Sequence, residues 1–164
     1  MKRLIFIGAL ASALLSAGFL FAQEENFHFQ LQPVQVPGFN GVQSAATGIW
    51  EGKIAVLGGR TDGLHRRQPF ASFLPDGNNP QIYVIDPVGG ASWSAPVASL
   101  PTGIQEQLLA SNLQFNQNGP WLYLTGGYGY SPTAGDHVTH NKLTVVRMDS
   151  LIRAVQSGQR KDPR

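Results

Sequence analysis

Two stretches of the 164-residue chain gather side chains able to do chemistry. The first, residues 60–80, holds Asp62, His65, Arg66, Arg67 and Asp76. These residue types exchange protons or hold an anion. The second, residues 128–141, holds Tyr128, Tyr130, Asp136, His137 and His140. Asp and His are ligand types for zinc and other divalent ions. The spacing of His137 and His140 suits one face of a helix. In a loop running into a strand, positions i and i+3 point to opposite faces, so the segment is read as hydrogen-bonded or solvated and no metal is expected. "PDGNN", residues 75–79, offers oxygens for calcium but lacks the alternating acids and distant Glu of an EF-hand loop; it reads as a turn. "GGYGYSPTAG", from Gly126, has no Lys and no following helix to make a phosphate loop. No G-x-S-x-G occurs to build a nucleophile elbow. No catalytic residue and no cofactor is assigned. Tyr128 and Tyr130 are rings that stack on a sugar or pack the loop onto the body of the protein.

Both stretches follow a double glycine. "KIAVLGG" ends at Gly58 and Gly59, and "WLYLTGG" ends at Gly126 and Gly127. Each apolar run is too short for a helix and suits a buried strand. Before each lies another strand and a glycine turn, at Gly52 or Gly119. After each comes a long polar loop and a third strand, "QIYVIDP" (Gln81–Pro87) or "KLTVVRMD" (Lys142–Asp149). The first unit continues into "WSAPVASLP", a fourth strand with Trp93. The second continues into "SLIRAVQSG", a short helix with Ser150 as its cap and Gly158 as its stop. Nineteen glycines and eleven prolines favour turn-rich β structure. Self-similarity of this kind is the mark of a repeat array.

Strand, Gly58-Gly59, then Tyr83 in the next strand and Trp93 beyond it resemble the kelch repeat. The second unit keeps Gly126 and Gly127 but lacks the Tyr and the Trp. The stretches "GGRTDGLHRRQPFASF…IYVIDP" and "GGYGYSPTAGDHVTHNKLT" are similar to secreted bacterial kelch-type proteins. The resemblance implies an all-β fold, a partial β-propeller of about two antiparallel blades, with Tyr83 and Trp93 packed between blades. The expected organisation is a leader over residues 1–22, an extended N-terminal segment over 23–42 that serves as a ring-closing strand, blades over 43–101 and 102–158, and the start of a continuation over 159–164. Two blades do not close a ring, so the remaining blades are expected from a missing part of the chain, with assembly from other chains as the alternative. The loops after each Gly-Gly are expected on one rim. Asp62, His65, Arg66, Arg67, Tyr128, Tyr130, Asp136 and His137 are then the ligand-facing candidates. The leading expectation is a non-catalytic module binding a protein or glycan. The alternatives are a carbohydrate-active enzyme of the sugar-mutarotase kind and a structural part of a cell-surface assembly. Kelch-type copper-radical oxidases need a cysteine, and this chain has none.

"MKR", then the uncharged run Leu4–Phe21, then Ala22 before "QEEN", has the layout of a secretory signal cleaved after Ala22. Secretion, the periplasm or the cell surface is expected, without stable membrane insertion after cleavage. The leader carries two of the twelve basic residues, which leaves ten against ten acidic ones. The mature chain is then formally neutral, and its only basic clusters, "HRR" (His65–Arg67) and "RKDPR" near the end, read as ordinary solvated groups, so nucleic acid is not expected as a partner. The absence of cysteine excludes disulfides and thiolate zinc sites within the chain.

Overall fold

The computed structural model describes residues 28–63 and 72–158. The leader with its cleavage site, Phe27, the His65–Arg67 cluster and residues 159–164 lie outside the described residues. Residues 28–33 belong to a unit of their own and form no strand; Phe29 and Leu31 are exposed there. Residues 34–42 carry no strand either, and Pro33 and Pro37 lack the N–H a ladder needs. The chain turns instead at Pro37-Gly38, where Phe39 N donates to Val36 O at 3.2 Å and Gly38 has φ +82°, the signature of a type II turn.

The strands are antiparallel throughout and form two sheets. The first is a meander of β1 (Ala46–Trp50), β2 (Lys53–Leu57), β3 (Gln81–Asp86) and β4 (Ala91–Pro96). Glu51 and Gly52 both take positive φ between β1 and β2, the I′ geometry that matches strand twist. The second sheet holds β5 (Ser111–Asn118), β6 (Trp121–Ser131), β7 (Asp136–Thr139) and β8 (Leu143–Arg147). One edge of β6 pairs with β5. The other pairs with β8 along Trp121–Thr125 and with β7 along Tyr128–Ser131. The double glycine therefore does not end this strand. β6 passes through Gly126 and Gly127 and folds back at residues 132–135, so the expected polar loop is a β-hairpin. Two α-helices, α1 (Thr102–Leu108) and α2 (Met148–Gly158), join the sheets, with short 3-10 turns at Pro75–Gly77 and Val97–Ser99. Helix α1 has no counterpart in the sequence reading. Helix α2 starts directly off β8, where Met148 N donates to Pro120 O at 2.8 Å, so Ser150 lies within the helix rather than capping it.

The repeat is visible in the backbone. Ser44 (φ +55°) stands opposite Gly59 (φ +84°), and Asn112 (φ +59°) opposite Gly127 (φ +90°), at the same offset of 68 residues. The units are also locked to each other at equivalent positions. Gln117 Nε2 donates to Ile49 O and its Oε1 accepts from Ile49 N, both at 2.7 Å. Gly59 N donates to Ala110 O, and Asn112 N to Ser44 O.

A single core lies between the sheets. It joins Ala46, Ala55, Leu57, Ile82 and Val84 of the first sheet to Leu113, Leu122 and Leu124 of the second. Met148, Ile152 and Val155 of α2 add to it, with Trp93 packed alongside. Aligning the double glycines equates Ala55 and Leu57 with Tyr123 and Thr125, and Ile54 and Val56 with Leu122 and Leu124. Between the sheets, the first thus turns one face of the repeat to the core and the second turns the other, while Val56 and Ile85 on the first sheet's far face are buried as well. Tyr83 lies on the first sheet's opposite face, where Phe39 meets it edge-on at 5.2 Å.

Candidate functional site

The segment after the first double glycine is organised by a buried cation. Arg60 is 3% exposed. Its guanidinium forks onto Asp62, Nε to Oδ1 at 2.9 Å and Nη2 to Oδ2 at 2.5 Å. Nη1 donates to Asn78 Oδ1 and Nη2 to Leu74 O, both at 3.0 Å. A Cβ at Gly77 would collide with the guanidinium. Asn79, fully buried, donates to Gly58 O and Gln81 O and accepts from Gln81 N. "PDGNN" is therefore a turn that cradles an arginine, with Pro75–Gly77 as a single 3-10 turn. Asp62 and Asn78 direct their oxygens at that arginine.

The hairpin after the second double glycine meets this segment. Along β6, Gly129 and Ser131 face inward while Tyr128 and Tyr130 face outward, each 37% exposed. His137 pairs with Tyr130 across the ladder. Its ring stacks on Tyr128 at 5.8 Å and meets Tyr130 edge-on at 5.5 Å. Phe73 meets Tyr128 edge-on at 5.1 Å, and the Arg60 guanidinium lies 5.7 Å from the Phe73 ring centre. His137 Nε2 lies 3.0 Å from Phe73 O. A carbonyl only accepts, so Nε2 carries the proton and, in the neutral ring, Nδ1 is left as an acceptor. Asp136 is exposed and accepts from His137 N at 2.6 Å. Tyr128, Tyr130, Asp136 and His137 thus share one surface, backed by Phe73 and Arg60, while Asp62 is held by Arg60. His65, Arg66 and Arg67 lie outside the described residues. Among the described residues no three His, Asp or Glu converge to hold a metal ion.

A second polar cluster, which the sequence reading missed, lies where α1 meets the hairpin. Glu106, 7% exposed, accepts from Ser131 Oγ at 2.9 Å, from Thr133 N at 3.1 Å and from the Thr133 hydroxyl at 2.5 Å. The Thr133 hydroxyl above all, with Ser131, holds its carboxyl below the usual range. Ser131 Oγ in turn accepts from Ala134 N, so this hydroxyl serves the turn. Gln107, fully buried, donates to Gly126 O and Lys142 O and accepts from Thr144 at 2.6 Å. It satisfies the backbone between β6 and β8 as they part near Gly126. Glu106, Ser131, Thr133, His140 and Lys142 line a cleft of about 400 Å³. His140 is 6% exposed, and its Nε2 is buried without a hydrogen-bond partner among the described residues. Burial first, then the Lys142 charge, lowers its pKa.

A lowered histidine pKa means that the unfolded chain binds more protons below the ordinary value of 6.5. Stability is therefore expected to fall as pH drops below 6.5, down to the lower value of the folded protein. Glu106 adds a further loss as pH falls below 4.5 toward its own depressed value. Chemical unfolding at a series of pH values checks this. H140Q is expected to flatten the first phase and leave the second. A wild-type profile level between pH 7 and 5 refutes the histidine assignment.

No helix among the described residues is long and apolar enough to cross a membrane. The chain matches no protein-family model and no curated protein sequence.

Proposed function

We propose that the chain is part of a secreted kelch-type β-propeller and that its rim binds glycans without catalysis. The two sheets are two blades on this reading. Its architectural support is the head-to-tail packing, in which one repeat face meets the other. Propeller blades stack in this way, and ring closure requires further sheets of the same kind. The secreted location rests on the leader sequence.

The single observation behind the binding role is the surface formed by Tyr128, Tyr130 and His137, with both tyrosines about one-third exposed. Aromatic rings offer flat apolar area and polar tips, which suits the apolar face and hydroxyl rim of a sugar. His137 supplies an acceptor at Nδ1 and Asp136 a carboxylate beside the rings. A protein ligand is the other partner class such a surface takes.

Screening the purified protein on a glycan array, followed by calorimetric titration with the best oligosaccharide, tests the role. Y128A and Y130A are each expected to weaken binding about tenfold or more, the loss of a stacking contact of roughly 1.5 kcal/mol. Binding by the wild type that both variants retain, or no glycan binding at all, counts against the rim.

A further inference from the structure

We propose that residues 129–139, the tip of the second sheet, are a latched flap that acid releases: Glu106 of α1 holds the flap down, and His140 at its root takes up the proton that loosens it. The proposal stands on how the tip is held and not on the glycan-binding role.

β6 is paired on both edges only as far as Tyr128. Its ladder with β5 ends at the Ser111–Tyr128 pair, and residues 129–131 pair with β7 alone. Among the described residues β7 pairs with no strand but β6. Beyond Tyr128 the sheet is therefore a two-stranded ribbon. Such a ribbon is at best marginally stable in water by itself, so its ties to the body decide whether it stays in place.

Those ties are few and mostly polar. Gly129 lies flat on Ala110, where a Cβ would come 3.2 Å from the Ala110 Cα. Glu106 is the latch. Its carboxylate accepts from Ser131 Oγ, Thr133 N and the Thr133 hydroxyl, so one side chain grips both the end of β6 and the turn after it. Hydrogen bonds to an ionised acceptor are the strong ones. On the outer side His137 Nε2 donates to Phe73 O. At the root His140 N donates to Gly127 O at 2.9 Å.

The His140 ring is the weak point of that root. It is buried, and its Nε2 has no partner among the described residues. Protonation makes both ring nitrogens donors, which leaves Nε2–H with a charge behind it and no acceptor in front of it. Opening the ribbon gives that charge water. Two charged groups bear on the ring, Glu106 from α1 and Lys142 from the segment leading into β8. Lys142 repels the new charge, and the Glu106 oxygens are already engaged by the flap. The other titratable groups of the ribbon stand elsewhere: Tyr130 and His137 on the outer face with Tyr128, and Asp136 at the tip, accepting from His137 N. The loss of stability expected below pH 6.5 thus begins as a local opening. Release lifts His137 from Phe73 and parts its ring from Tyr128, so the outer aromatic surface is assembled at neutral pH and dismantled in acid.

Hydrogen exchange followed by mass spectrometry at pH 7 and pH 5, corrected for the chemical exchange rate, tests the proposal. Residues 129–139 are expected to exchange several-fold faster at pH 5, while β2 and β3 stay protected over the same period. E106Q is expected to speed flap exchange about tenfold at pH 7, the loss of a hydrogen bond to a charged group, again without exposing β2 and β3. H140Q is expected to remove the difference between the two pH values. A wild-type flap that exchanges equally at both pH values, or only together with β2 and β3, overturns the proposal. So does a pH difference that survives H140Q, and flap exchange untouched by E106Q removes the latch. If E106Q does not fold, the comparison of wild type with H140Q still decides.

Discussion

G59A is expected to destabilise the protein by about 2–5 kcal/mol, while G126A costs only about 1–2. Both glycines sit in the left-handed region, at φ +84° and +67°. A side chain there costs about 1–2 kcal/mol at either position. The surroundings decide the rest. Open space surrounds Gly126, so alanine meets nothing. A Cβ on Gly59 would strike the carbonyl oxygen of Gln43 and crowd Val42 and Ala45. Gln43 is fixed there by its backbone pairing with Arg60, at 3.0 and 2.9 Å in the two directions. The obstacle is backbone and has no rotamer with which to yield, so overpacking adds about 1–3 kcal/mol. Urea unfolding of the two variants gives the difference directly. Equal losses would mean that the segment around Gln43 gives way freely.

R60A is expected to cost about 3 kcal/mol, the lower end of the range for breaking a buried ion pair. Four of the acceptors around the guanidinium come from three places in the chain: both oxygens of Asp62, Leu74 O and Asn78 Oδ1. Truncation leaves the buried acceptors without this donor and removes the cation beside Phe73. Asp62 is 39% exposed and turns partly to water, which keeps the loss from reaching the upper end. R60K retains the charge but not the planar fork, so it should recover only part of the loss. The check is the denaturation midpoint of the three proteins with unchanged m-value. An R60A midpoint within error of wild type would reduce Arg60 to a surface residue in effect.

The antiparallel strands were readable because their turns carry their own chemistry. Gly52 and Gly119 sit at the hairpin corners between β1 and β2 and between β5 and β6. The second double glycine misled for a physical reason. A glycine pair at positive φ usually ends a strand. Here Asn112 takes the matching left-handed turn on the neighbouring strand, and β7 and β8 pair with the far edge. β6 therefore bends and continues. Helix α1 is seven residues long and includes Gly103 and four polar side chains, so its period is too short to show. Its Ile104 and Leu108, four apart, are the one available hint. Tyr128, Tyr130 and His137 were identifiable by type as candidates, and they do share one surface. Arg60 was not identifiable as the centre of its segment, because a charged residue after glycines reads as solvent loop. Only folding brings Asp62, Leu74 and Asn78 to it. Glu106 and Gln107 gave no signal, since burial of such residues depends on partners more than twenty positions away in most cases.

β6 carries Leu122 and Leu124 in the core and Tyr128 and Tyr130 on the rim, within one strand of 11 residues. These two rings therefore stand on a strand anchored in the core and braced by ladders on both sides. On the proposed binding role, a ligand arriving at Tyr128 and Tyr130 would find them already ordered, so little chain entropy would be lost on binding. Under that proposal the surface would act as a stamped template rather than a closing hand, favouring ligands whose own shape is stiff and gaining selectivity by fit at the cost of breadth.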